Sequence, residues 1–100
     1  MELEWDETKR AEIYAKHGVD LLEAALIFEN EVLEKEDTRR DYGEKRMIAL
    51  GIADGEIYTV VYTERGEVYR LITAWKGGQN DREVYEKSRT WRPSQDEGTR

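Results

Sequence analysis

Arg46, Tyr62, Arg70, Trp75, Lys76 and Tyr85 bring cationic and aromatic chemistry to the part of this 100-residue chain richest in Ile, Val, Thr and Tyr. Guanidinium and ammonium groups hold a phosphodiester, and aromatic rings stack an unpaired base, so the set suits single-stranded nucleic acid as well as ordinary strand surface. His17 is the single histidine and a natural proton carrier near neutral pH. It equally suits the last turn of a helix, where a cation complements the dipole. Carboxylates are plentiful but sit in solvated runs, and none stands out as half of an acid–base pair. No glycine-rich phosphate loop, nucleophile elbow or metal-ligand spacing occurs. The absence of cysteine removes disulfides, thiolate nucleophiles and cysteine zinc sites, and one histidine cannot form a metal cluster. No cofactor is expected.

The net charge of −7 opposes nucleic-acid binding, which Lys and Arg drive by releasing counterions. Its distribution is uneven. Twelve acidic and four basic residues precede position 38, against eleven acidic and twelve basic after it. One face could therefore bind phosphate while another stays solvated or docks a basic partner. No apolar run approaches the roughly 20 residues of a membrane span, and the N-terminus lacks the basic-then-apolar pattern of a signal peptide. A cytoplasmic protein that touches no membrane is expected.

The elements that must position these groups follow from periodicity. Leu3 and Trp5 alternate with Glu2 and Glu4, as in a short edge strand. Asp6 is placed to cap a helix that runs to His17 and stops at Gly18, with Ala11, Tyr14 and Ala15 on one face. Asp20 and Glu23 open a second helix with an apolar stripe of Leu21, Leu22, Ala25, Leu26 and Phe28. Val32 and Leu33 could make a short strand, and the charged residues 34–41 read as an exposed loop. The period then changes to two. Residues 46–53, 56–63 and 67–75 read as three antiparallel strands, joined by the hairpin dipeptide Asp54-Gly55 and by Glu64-Arg65-Gly66. This sheet is apolar on both faces, which implies helices on one side and another cover on the other. Asn80 and Glu83 start a last helix carrying Val84 and Tyr85. The expectation is one α+β domain over residues 1–90, with two N-terminal helices on an antiparallel sheet and a short C-terminal helix. Residues 91–100 form a polar tail expected to fray.

Glu4-Trp5-Asp6, Lys9, Lys16-His17-Gly18-Val19 and Glu23-Ala24-Ala25 with Phe28 resemble the opening of the BrnT family of bacterial toxins. Gly43-Glu44-Lys45-Arg46, the strand from Tyr58 to Thr63, Glu64-Arg65-Gly66, Arg70-Leu71-Ile72-Thr73-Ala74 and Arg82-Glu83-Val84-Tyr85-Glu86 continue the likeness, in order, over residues 2–87. The resemblance implies a RelE-like fold and a metal-independent ribonuclease toxin of a type II toxin–antitoxin system that arrests translation. It further implies neutralisation by a BrnA-like ribbon-helix-helix antitoxin, with DNA contacted only through that partner. In such a site Arg46 and Arg70 hold the scissile phosphate, Lys76 adds charge or a proton, and Glu44 or His17 acts as base or acid. Trp75 and Tyr85 are then RNA-binding residues.

Two positions depart from the family. Ile13 stands where Asn is usual in the first helix. The last strand ends Thr73-Ala74-Trp75-Lys76-Gly77, where the family typically has Ser-Ala-Arg-Lys-Ala. Losing one guanidinium removes ~2–4 kcal/mol of transition-state stabilisation, the scale of one oxyanion donor. A toxin-like module that docks an antitoxin without cleaving RNA therefore stands beside the ribonuclease. A structural domain with no partner is a third reading, and it would need the second sheet face covered within the chain.

Overall fold

The computed structural model describes residues 1–91. The tail expected to fray lies, from residue 92 on, outside the described residues. The chain runs β1 (Glu2–Glu4), α1 (Glu7–His17), α2 (Leu21–Ala24) continued by a 3₁₀ turn (Ala25–Glu29), β2 (Leu33–Glu36), β3 (Met47–Ala53), β4 (Glu56–Arg65), β5 (Val68–Lys76) and α3 (Gln79–Trp91). The strands form one sheet in the order β1-β5-β4-β3-β2. All pairs are antiparallel except β1 with β5. The architecture is the expected α+β arrangement, with an edge strand added in parallel.

Local chemistry accounts for most of these elements. Asp6 Oδ1 accepts from the backbone amides of Thr8 and Lys9 at 2.8 and 3.1 Å, opening α1. The amide of Gly18 closes the helix by donating to the Tyr14 carbonyl at 2.9 Å. Asp20 caps α2 through the Leu22 amide and accepts two bonds of 2.9 Å from the Arg10 guanidinium, tying the helices together. This pairing holds the Asp20 carboxyl below its usual range. Asp54 and Gly55 both have positive φ, 51° and 76°, as the primed hairpin turn between β3 and β4 requires.

The buried faces differ from the expected stripes. In α1 the buried residue is Ile13, while Ala11, Tyr14 and Ala15 are exposed. After Ala24 the backbone tightens to three residues per turn, so Leu21, Ala24 and Ile27 line up inward and Leu26 turns out. Residues 34–36, expected in an exposed loop, belong to β2. An edge strand needs only backbone partners on one side, and a charged side chain there costs little.

The helices cover one face of the sheet, lined by Ala49, Ala53, Tyr58, Val60, Tyr62, Leu71 and Ala74. The close approach depends on small residues in β3. A Cβ on Gly51 would lie 2.9 Å from Ile27 Cβ and 3.0 Å from Val32 Cγ1. Tyr62 is fully buried here, stacked on Tyr69 at 4.5 Å and edge-on to Phe28 at 5.1 Å, and its hydroxyl donates to the Glu34 carboxylate. Burial, with the Glu34 carboxylate beside it, pushes the Tyr62 hydroxyl far above its usual pKa. The opposite face carries Ile48, Leu50, Ile52, Thr59, Val61 and Thr63. At one end of it sits α3, where Tyr85 is buried and its hydroxyl donates to the Glu31 carbonyl at 2.6 Å. Arg82 fastens the same helix to the hairpin turn, donating to the Gly55 carbonyl at 2.6 Å.

Candidate functional site

The face away from α1 and α2 is organised in rows that cross the strands. Leu33, Leu50, Thr59 and Trp75 are paired neighbours in one row, next to the Ile52–Ile57 row at the α3 end. Lys35, Ile48, Val61 and Thr73 form the next. Thr63, Arg70 and Glu4 form the third, and Arg46, just before β3, continues it beside Thr63. Rows lie about 7 Å apart and strands about 4.8 Å apart.

The third row holds most of the cationic chemistry. Arg46, Glu44, Arg65, Glu4 and Arg70 alternate in sign along one chain of ion pairs, with closest N···O distances of 3.6, 3.7, 3.7 and 3.6 Å. These distances exceed good hydrogen bonds, and exposed pairs of this kind contribute about 0–1 kcal/mol each. The guanidiniums are therefore gathered at one place without being committed to their carboxylates. An incoming phosphate displaces such partners at small cost. Arg46 Nε faces Glu44 Oε2 at 3.6 Å, too far for a good hydrogen bond, and Thr63 Oγ1, next in this row, is buried without a hydrogen-bond partner. Buried polar atoms are ordinarily satisfied, so an unpartnered hydroxyl beside a loosely held guanidinium suits a further polar group.

The connection between β2 and β3 supplies groups that the charge pattern had concealed. Asp37 extends the ladder, its amide donating to the Arg46 carbonyl at 2.8 Å. Its side chain is 1% exposed, and its carboxylate accepts from Arg39 Nε and Nη2 at 2.7 and 2.8 Å, from the Arg39 amide at 3.2 Å and from the Tyr42 hydroxyl at 3.3 Å. The Arg39 guanidinium holds this carboxyl well below the usual carboxylate range. Tyr42 in turn lies under the Arg46 guanidinium at 4.1 Å, and Arg39 reaches the Trp75 ring at 5.7 Å. One buried carboxylate thus fixes an arginine and an aromatic ring on the open face. Composition makes this segment look like a solvated charge run. Only an acidic residue flanked by Arg39 and Tyr42 hinted otherwise.

The residues singled out from the sequence fall in separate places. Arg46, Arg70 and Glu44 come together in the third row. Trp75 shares the face two rows away, with the His17 ring 6.4 Å from its own across the edge of β5. Lys76 lies on the helix side, opposite Tyr58, and pairs with Glu56 at 3.5 Å. Tyr85 is on the buried side of α3 and Tyr62 is in the helix-side core, so neither ring is placed to stack a base. Lys76 is parted from Arg70 by a β-bulge in β5. Val61 pairs with Thr73 but Tyr62 pairs with Leu71, so one residue is skipped and the alternation of faces inverts. Arg70 and Lys76 would share a face in a regular strand. With the bulge, Arg70 shares it with Trp75.

Residues 5–81 match the model of the family described as the ribonuclease toxin BrnT of type II toxin–antitoxin systems. The chain belongs to the BrnT family. No individual curated protein matches at a comparable level. Membership makes this a ribonuclease toxin with an antitoxin partner and an RNA target, and the matched residues include the three arginines of the row, Asp37, Arg39 and Trp75. Among the described residues no group of three or more His, Asp or Glu side chains is placed to hold a metal ion, and no helix is long and apolar enough to cross a membrane.

Proposed function

We propose that the BrnT chain cuts RNA on the open face of its sheet without a metal ion, the guanidinium row holding the scissile phosphate. The observation that carries this reading is the row itself, in which Arg46 and Arg70 lie on either side of Thr63 and are held by ion pairs no closer than 3.6 Å. In the reaction, Glu44 takes the proton of the 2′-hydroxyl. The 2′-oxygen attacks phosphorus while Arg46 and Arg70 neutralise the charge that builds on the phosphorane. The bond to the 5′-oxygen breaks and that oxygen receives the proton from Glu44, leaving a 2′,3′-cyclic phosphate and a 5′-hydroxyl. His17 and Trp75 face a neighbouring nucleotide. Lys76, on the other face, takes no part in this scheme.

The test is purified protein incubated with RNA in excess chelator. Wild type is expected to cut, and Arg46→Ala and Arg70→Ala each to lose about 10²–10³ in rate, the scale of one transition-state donor. Intact RNA with wild type, or cutting by both variants at the wild-type rate, sinks the scheme.

Trp75, in place of the family's Arg, favours a second reading, a module that docks its antitoxin without cleaving. Growth on induction separates the two. A harmless wild type with a harmful Trp75→Arg variant supports the docking module, and a harmful wild type excludes it. The partner in either case is a ribbon-helix-helix antitoxin through which DNA is contacted, and the acidic first third of the chain suits a basic surface. Co-purification with such a protein encoded next to the toxin gene tests this. Its failure to bind would remove the assignment.

A further inference from the structure

Between the sheet and α3 the open face carries a groove of ≈ 410 Å³, within the range of small-ligand pockets. Trp75 forms a wall, Leu50, Ile48 and Thr59 lie in it from the strands, and Val84 and Asp81 close it on the helix side. Arg39 lies against the Trp75 ring, 58% exposed and held by the buried Asp37 carboxylate. A flat aromatic wall beside Leu50 and Ile48, with Lys35 in the lining and the accessible Arg39 guanidinium against the ring, suits an unpaired nucleotide. The base needs a face to stack on and the phosphate needs a bidentate donor.

We infer that this groove is a nucleotide subsite, distinct from the guanidinium row, in which Trp75 stacks one base and Arg39 holds a phosphate. The inference rests on the ribonuclease reading only for the identity of the ligand as RNA. Asp37 is its positioning residue. It holds Nε and Nη2 of Arg39 and leaves Nη1 and the outer edge of the guanidinium available. The Trp75 side chain thus extends the face for a second nucleotide, and the cation lost at position 75 in the comparison with the family is supplied nearby from the β2–β3 connection. The two-row separation from Arg46 and Arg70, about 13 Å along the strands, places the two sites under different nucleotides.

The experiment measures binding of a single-stranded 2′-O-methyl decamer of mixed sequence, which has no 2′-hydroxyl to cut, as a function of salt. Trp75→Ala is expected to weaken binding on the order of tenfold, the effect of one lost base stack, with the salt slope unchanged. Trp75→Phe should retain most of the affinity. Arg39→Ala should weaken binding and lower the slope of log K against log salt by about 0.7, the value for one phosphate contact on a single strand. Arg39→Ala leaves a buried carboxylate unpaired, so the pair Asp37→Asn with Arg39→Ala is measured beside it. The same loss of slope is expected there without an uncompensated charge. Affinity within twofold of wild type for Trp75→Ala, or an unchanged slope in the folded double variant, overturns the subsite. The expected pattern together with uncut natural RNA supports the subsite and counts against the ribonuclease. Cleavage of natural RNA with unaltered decamer binding in every variant overturns the subsite alone.

Discussion

Asp37→Asn tests the idea that one buried carboxylate organises the open face. The native side chain is 1% exposed and accepts two bonds of 2.7 and 2.8 Å from a guanidinium that is itself 58% exposed. Asparagine keeps one acceptor and turns an NH₂ group toward Arg39, so donor faces donor. Each charge-assisted bond is worth about 1.5–3 kcal/mol when buried. The exposure of Arg39 lets water replace part of that, and screening lowers it further, which leaves a loss of roughly 2 kcal/mol. At 4–8 °C per kcal/mol for a domain of this size, the melting temperature should fall by about 8–16 °C. The pH dependence has a definite sign. Asp37 has a depressed folded pKa, so its contribution is fully present above the unfolded value of about 3.9 and is lost as pH falls through the folded one. The gap between wild type and variant should be full at pH 7 and pH 5.5 and shrink below about pH 4. Melts followed by circular dichroism across this range make the measurement. A variant that melts with wild type at pH 7, or a gap that widens in acid, refutes the reasoning.

Gly51→Ala should lose about 1–3 kcal/mol, because the new Cβ must displace Ile27 or Val32 in a packed contact. Urea unfolding reads this directly, and an unchanged midpoint would show the helices have room to move. Asp20→Ala removes the cap of α2 and its link to Arg10. A cost of about 1–2 kcal/mol is expected in the same assay, and less than 0.5 kcal/mol would count against the cap. Thr63→Val replaces a buried hydroxyl that has no partner with a methyl, so stability should hold or rise by up to about 1 kcal/mol while RNA cleavage falls. Destabilisation by the variant, or cleavage at the wild-type rate, would remove Thr63 from the site.

The sequence by itself determined the elements whose signals are local. Asp6 and Asp20 cap because an acceptor at that position meets free amides of the first turn, and Asp54-Gly55 turns because both residues tolerate positive φ. The alternation through β3 and β4 named two apolar faces correctly for the same reason, since side chains alternate wherever the ladder is regular. The family resemblance named Arg46 and Arg70 together, and they meet because β3 and β5 flank β4 and start at the same end of the sheet. Only the start of β2 was legible, at Leu33, because backbone hydrogen bonds in an edge strand leave no mark on the charged residues 34–36. The roles of Asp37, Arg39 and Tyr42 depend on which groups the returning chain brings within bonding distance of one carboxylate. Only the tertiary structure decided which aromatic or cationic group of β5 faces the site. The bulge between Leu71 and Thr73 is set by how β5 pairs with β4. It moves Lys76 to the helix side and puts Trp75 on the open face, because skipping a single residue reverses every side chain that follows.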